Sequence, residues 1–477
     1  MSEASVTGID QKTGELVVAG KGPRPVRAEL LGARAGVAAR LTGRGTTWKA
    51  RFPLVASRWG GKELPLPTGE YRIDIAGVVV TGAMPMVIDE RLRIAADGPA
   101  VTIGPPTDPS IESPEARAAL ERRYSMPSAP LRNAVFFESF YGRVAGDNPL
   151  ALDREIARVR PDITRYWSVV DLSVEVPEGA VAVIDRSAEW WRARSESRLL
   201  IVNDWLRHRF TARGGQHVLQ TWHGTPLKRL ALHRRGFQPR RWGAVLKESR
   251  RWDALLAQNP YAARILSKAY AFFTRPVWVE GYPRNDVLRT GDSAEVRRML
   301  GIGESERVLL YAPTWRDDRS EMVDFVEPTV LAERTSSVVL VRGHSRTLIP
   351  GQNAAGPRVI DVTGFADASR LMLAADALIT DYSSVMFDFS GTGKPMYFLV
   401  PDIDHYRGQL RGFYFDLEKR VPGPVVRTQD DLIAALEEDE PSTYAEKYAE
   451  WRAVFNARDD GHAAERVVAR LLDQRMI

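Results

Sequence analysis

Residues 377–389 read ALITDYSSVMFDF, and this stretch decides the fold. Ala377–Thr380 is a short apolar run without polar alternation, as in a strand buried on both faces of a parallel sheet. Asp381 and Tyr382 break it. Val385, Met386, Phe387 and Phe389 then continue as an amphipathic helix, so the segment is a strand, a tight turn and a helix. Ser383 or Ser384 stands where a helix wants an N-cap. The same helix start offers free N–H groups to a phosphate.

The rhythm repeats on both sides. RVLLYAPTW, SVVLVRGHS, RVIDVTG and KPMYFLVPD are further strands after residue 300. Upstream, AVFFES, RYWSVVD, AVAVID, LLIVND and VLQTWH alternate with helical stretches from residue 134. Two Rossmann-like units result, 134–290 and 291–477, the second ending in a C-terminal helix. The hinge falls near GYPRNDVLRTGDS (281–293). Residues 1–103 differ in texture: short β-branched and aromatic runs broken by Gly and Pro predict a small β-rich, sandwich-like accessory domain. The Pro- and Ser-rich segment 104–133 reads as a linker. The fold class is therefore α/β, a pair of Rossmann-like domains preceded by a β-rich, sandwich-like domain.

A chain of 477 residues is too long for one core, in keeping with this division. It has no cysteine, which excludes disulfides, thiolate metal sites and cysteine nucleophiles. The formal charge of +5 is too small to demand a nucleic-acid partner. MSEASVTGIDQK lacks a basic-then-apolar leader, and no run approaches the ~18 apolar residues of a spanning helix. A cytoplasmic location is expected.

Ligands of open parallel sheets sit at the carboxyl ends of strands. The residues there are His223 with Gly224 and Thr225, Arg316, Arg342 with His344 and Arg346, and Asp381 with Ser383 and Ser384. Imidazoles, guanidiniums and hydroxyls together suit a phosphate-bearing substrate. His223 lies in WHGTP, where Gly224 permits close backbone approach and a neutral imidazole can accept a proton from a hydroxyl. A histidine merely satisfied inside a turn is the competing reading. Arg342, His344 and Arg346 alternate out of one strand and so share a face, as an anion site or as a solvated strand end. GTGK (391–394) is not a P-loop, because Asp388 occupies the earlier glycine position and Pro395 follows the lysine. DID (402–404) has no supporting ligands, and no Gly-x-Ser-x-Gly elbow occurs.

Residues 233–256, HRRGFQPRRWGAVLKESRRWDALL, interleave basic residues with Phe237, Trp242, Leu246 and Trp252. Cations for anionic headgroups and indoles for the boundary are the needs of an interfacial helix. Arg240, Arg241, Trp242, Arg251 and Trp252 are its expected membrane contacts; an ordinary packed surface helix is the other reading.

TWHGTPLK, AQNPY, GYPRNDVL, YAPTWRD, VRGH, ALITDYSSVMFDF and RGFYFDLEKRVPGPVV occur in this order between about 134 and 440. The set resembles the CDP-glycerol glycerophosphotransferase family, the teichoic-acid primases and polymerases. The resemblance implies a GT-B enzyme, peripheral on the cytoplasmic face of the membrane. Such an enzyme moves an alditol phosphate from a CDP-alditol to a prenyl-linked or polymer acceptor and releases CMP. It implies His223 as general base, His344 as the second essential histidine, and Lys228, Arg316, Ser383 and Ser384 as donor-phosphate contacts. Arg342, Arg346 and Asp381 join them from their strand-end positions. Where the family commonly has His-Pro, this chain has His344-Ser345. No cofactor is expected: if fixed cations offset the phosphoryl charge, a divalent metal is not required. Two rivals stand beside this reading, a nucleotide-sugar glycosyltransferase of the same fold and a non-catalytic glycopolymer-binding protein. Whether the chain forms a homo-oligomer is left open.

Overall fold

The computed structural model describes residues 2–125, 129–314, 325–343, 355–405, 412–438 and 440–477. From Arg132 onward two seven-stranded sheets carry the chain. The first runs in the order Val181–Ile184, Thr164–Val169, Arg132–Glu138, Ser197–Val202, His217–Gln220, Ala254–Ala257 and Val277–Val279, all parallel. The second runs Ala355–Gly356, Val359–Asp361, Val338–Val341, Val308–Ala312, Ala377–Thr380, Met396–Leu399 and Val425–Val426. Only its edge pair, Ala355–Gly356 with Val359–Asp361, is antiparallel. The central strands are buried on both faces; Val308–Ala312, Val338–Val341 and Ala377–Thr380 have no exposed residue. This is why they read as unbroken apolar runs.

Residues 2–104 form three further sheets, one of five strands, one of six and a two-stranded pair, Val55–Ser57 with Glu63–Pro65. Leu16, Val18, Trp48 and Phe52 from the first pack with Leu30, Tyr71, Ile73 and Ile94 from the second in one shared core. The helix Pro114–Ser125 follows. Its Glu121 accepts the backbone N–H of Arg209, which ties this segment to the first Rossmann-like unit.

Two expectations need correction. The C-terminal helix Ala463–Asp473 does not pack on the second unit. Val467, Val468 and Leu471, each no more than 1% exposed, lie in the core of the first unit beside Leu152, Ile156 and Trp278. Burial of each such side chain contributes about 1.5–3 kcal/mol, so the chain's end fastens the two units together. Nor is 242–256 one amphipathic helix. The helix Pro239–Ser249 stops, and Ala254–Ala257 is a fully buried strand of the first sheet. Trp252 is 0% exposed, with its indole N–H donating to Glu248. Arg251 donates to the Leu206 carbonyl and pairs with Glu248. Neither residue is available to a membrane.

Candidate active site

His223 follows the strand His217–Gln220 in a turn held from several directions. Asn148, fully buried, donates to the Thr221 and Trp222 carbonyls, and the Gln220 side chain accepts the Trp222 N–H. Trp222 takes φ +55°, a left-handed conformation that an indole adopts only when the surroundings impose it. It stacks on the imidazole at 4.7 Å, and Phe140 meets the same ring edge-on at 5.8 Å. The His223 Nδ1 lies 2.6 Å from the Asn203 carbonyl oxygen. A carbonyl can only accept, so Nδ1 carries the proton and, in the neutral ring, Nε2 keeps its lone pair. Asn203 is itself fixed: its Oδ1 accepts from the Phe140 N–H at 2.9 Å and its Nδ2 donates to Ser139 at 3.0 Å. The arrangement leaves Nε2 able to accept a proton, with the tautomer set by a backbone partner.

The turn is pressed against the second unit. A Cβ added at Gly224 would lie 2.7 Å from the Ser384 Oγ and 3.2 Å from its Cβ, so only glycine lets the WHGTP turn approach the DYSS turn. Downstream, Lys228 forms a backbone bridge with Phe413, while Tyr414 donates its N–H to Leu227 O and Arg229 donates its N–H to Gly412 O. The Tyr414 hydroxyl also meets His233 Nδ1 at 2.7 Å. The GFYFD segment (412–416) thus lies along TWHGTPLK from the opposite unit.

Beneath this contact runs a buried polar seam that the sequence reading missed. Arg284, of the GYPRNDVL motif, pairs with Asp147 at 2.6 Å and with Asp388 of the second unit at 2.7 Å. All three side chains are 12% exposed or less. The same guanidinium donates to the His223 carbonyl at 3.1 Å. Asn285 donates to Asp388, and Gln258 donates to Asp459. Thr225 donates to Gln258. Burial alone would lower the Arg284 pKa, but Asp147 and Asp388 together raise it above its ordinary value. Burial pushes the Asp388 carboxyl up to about 6, against the pull of Arg284 and Asn285. The available signal was Asp388 itself: a carboxylate inside the apolar helix VMFDF demands a partner.

The other expected site residues fall out unevenly. Ser383 and Ser384 are half-buried, and Ser384 lies against Gly224. The helix Val385–Phe389 begins at Ser384 without a side-chain cap bond, and Ser383 Oγ reaches the Val385 N–H only at 3.4 Å. Asp381 is 3% exposed and accepts from the Thr314 and Tyr382 N–H groups, so it binds its own strand ends together. Arg342 donates to the carbonyls of Val362 at 3.2 Å and Phe365 at 2.8 Å, and burial pulls its pKa down to about 10. His344, Arg316 and Arg346 lie outside the described residues. Among the described residues no group of carboxylates and histidines suited to a metal ion occurs. Arg240 is exposed, and Trp242 is 38% exposed with its ring 5.3 Å from that of Phe237. Arg241 donates to the carbonyls of Arg234, Arg235 and Gly236, which closes the loop before the helix.

Two parallel-sheet units that meet along a buried seam, with a tautomer-fixed imidazole where their strand-end turns touch, form a GT-B-like architecture with its candidate site at the junction. Residues 123–473 match the profile of the CDP-Glycerol:Poly(glycerophosphate) glycerophosphotransferase family, and the chain belongs to it. It is 34% identical over 360 residues to the teichoic acid poly(glycerol phosphate) polymerase of Bacillus subtilis, across 71% of this chain and 48% of that protein. It is 34% identical over 377 residues to the teichoic acid glycerol-phosphate transferase of Staphylococcus aureus, of which the match covers 92%. The solved wall teichoic acid polymerase TagF superposes with a TM-score of 0.70 at 29% identity, over 77% of this chain and 95% of that one. The match thus spans about half the length of the Bacillus polymerase but nearly all of the Staphylococcus transferase. The family is one of enzymes, and the binding-protein reading is set aside.

Proposed function

We propose that the chain transfers glycerol phosphate from CDP-glycerol to a hydroxyl of a prenyl-linked or polymeric acceptor and releases CMP. The observation that carries this is the His223 Nδ1 bond to Asn203, which leaves Nε2 as a base in a turn packed on Ser384. The acceptor oxygen attacks the β-phosphorus while Nε2 takes its proton. The bond from that phosphorus to the bridging oxygen breaks, and CMP leaves with the electron pair. Ser383 and Ser384, with Lys228, Arg316 and His344, are the proposed donor contacts; fixed cations offset the charge that develops. The test is a panel of CDP-glycerol, CDP-ribitol and UDP-sugars with lipid-linked acceptors, scored by released nucleotide and product mass. CMP release from CDP-glycerol that survives EDTA at near its untreated level is expected. UDP release would replace the reading with a sugar transferase, and complete loss in EDTA would reject metal independence.

The membrane-facing reading narrows to 234–250. Phe237 is 72% exposed and Trp242 38%, and Arg234, Arg235, Arg240, Lys247 and Arg250 surround them, all exposed. Among the described residues no helix is long and apolar enough to cross a membrane. Basic residues near an anionic surface contribute about 1 kcal/mol each. Phe237→Ala/Trp242→Ala/Arg240→Glu should therefore bind phosphatidylglycerol vesicles at least ~10-fold more weakly. Co-sedimentation equal to that of the parent protein would refute this surface.

A further inference from the structure

The β-rich region 2–104 lies outside the family match, yet it touches both units. On the first unit, Arg34 pairs with Asp171 at 3.2 Å, and the Thr68 N–H donates to the same carboxylate at 2.9 Å. Asp171 is nearly inaccessible, 4% exposed at its side chain, so this anchor is a specific contact. On the second unit the contact is the tip between the strands Val55–Ser57 and Glu63–Pro65. There Trp59, at φ +49°, places its ring 5.2 Å from that of Phe365. A Cβ added at Gly364 would sit 3.1 Å from Arg58 Nη1 and 3.3 Å from the Trp59 ring, so the tip lies directly on this glycine. Arg58 also donates to the Arg34 carbonyl, which links the tip to the anchor on the first unit.

What the tip rests on is the support of a strand end. The carbonyls of Val362 and Phe365 accept from Arg342, and Thr363 Oγ1 accepts from the Gly343 N–H at 3.1 Å. Arg342 and Gly343 end the strand Val338–Val341, at the carboxyl edge where the nucleotide donor is expected. The segment 362–367 is held from a third side as well: a Cβ on Gly146 of the first unit would lie 3.1 Å from the Ala366 carbonyl oxygen.

We infer that the β-rich region is a brace across the two units, and that Trp59 is a positioning residue that sets the Arg342–Gly343 strand end for donor binding. The inference rests on the proposed CDP-glycerol reaction. Trp59 touches Phe365 and Gly364, so it acts through them. Removing its ring frees the 362–365 segment, and with it the carbonyls that orient Arg342.

The test uses the full chain and separates donor from acceptor. Trp59→Ala should raise KM for CDP-glycerol about tenfold, with KM for the acceptor within twofold of the parent and the melting temperature little changed. Trp59→Phe, which keeps a ring against Phe365, should restore the donor KM. Gly364→Ala, which pushes the tip away from the other side, should reproduce the donor defect without altering residue 59. An unchanged donor KM in Trp59→Ala, or equal losses toward donor and acceptor, overturns the inference. Failure of the parent protein to release CMP from CDP-glycerol would instead strike the proposed reaction, so the two failures are distinguishable.

Discussion

His223→Ala lowers kcat about 10²–10⁴-fold and leaves the melting temperature close to that of the parent protein. The size follows from the role. An acceptor hydroxyl is a weak nucleophile at neutral pH, and the base that relieves it of its proton in the transition state is worth that range. The small structural cost follows from the surroundings. Among the described residues the ring makes one hydrogen bond, to the Asn203 carbonyl, and net values for such bonds are about 1 kcal/mol. The turn keeps its other fastenings, from Asn148 and Gln220. His223→Gln should not rescue the rate, because an amide cannot take the proton. Steady-state CMP release under saturating donor decides the matter. A His223→Ala enzyme that turns over at more than a tenth of the parental rate leaves the imidazole without a chemical role.

How far the sequence disclosed this arrangement depended on the range of the interactions. Ala377–Thr380 and His217–Gln220 were readable because a strand covered on both faces needs apolar residues at every position, and the polar residues that follow mark the sheet's carboxyl edge. Ala254–Ala257 was not readable. Trp252, Leu255 and Leu256 continue the apolar spacing of the preceding helix, and nothing local separates a buried strand from one more helical turn. Arg342 illustrates a different limit: a cation at a strand end is equally suited to a phosphate and to its own backbone carbonyls, and only coordinates show the Val362 and Phe365 oxygens beside it. Arg284 was passed over as part of a hinge because its partners are remote. Asp147 lies 137 residues away and Asp388 lies 104 away, so no window along the chain contains the group that matters. The assignment of the C-terminal helix failed for the same reason, since Val467 and Leu471 find their core in residues near Leu152.

Arg284→Met destabilises the protein by about 3–5 kcal/mol at pH 7.5, the usual cost of stranding buried charge by removal of its partner. In a chain this long that corresponds to a fall in melting temperature of roughly 3–5 °C. The loss depends on pH, and its sign is fixed by Asp388. With Arg284 in place burial already pushes this carboxyl up to about 6. A carboxyl raised in the folded state contributes stability that is fully present below its ordinary range and is lost as pH rises through the raised value. Without the guanidinium the folded-state value moves higher still, and Asp147 loses the same cation. The gap between parent and variant should therefore be smaller at pH 5, where Asp388 is largely protonated in both, and should widen steadily up to pH 7.5. Adding Asp388→Asn removes one stranded carboxylate and should recover part of the loss at pH 7.5, a coupling that independent sites would not show. Catalysis falls too, because the guanidinium that joins the two units also holds the His223 carbonyl at 3.1 Å. Thermal unfolding of the three proteins between pH 5 and 7.5 reads all of this at once. A gap that stays constant with pH, or narrows as pH rises, would show that the seam is held by something other than this buried ion triad.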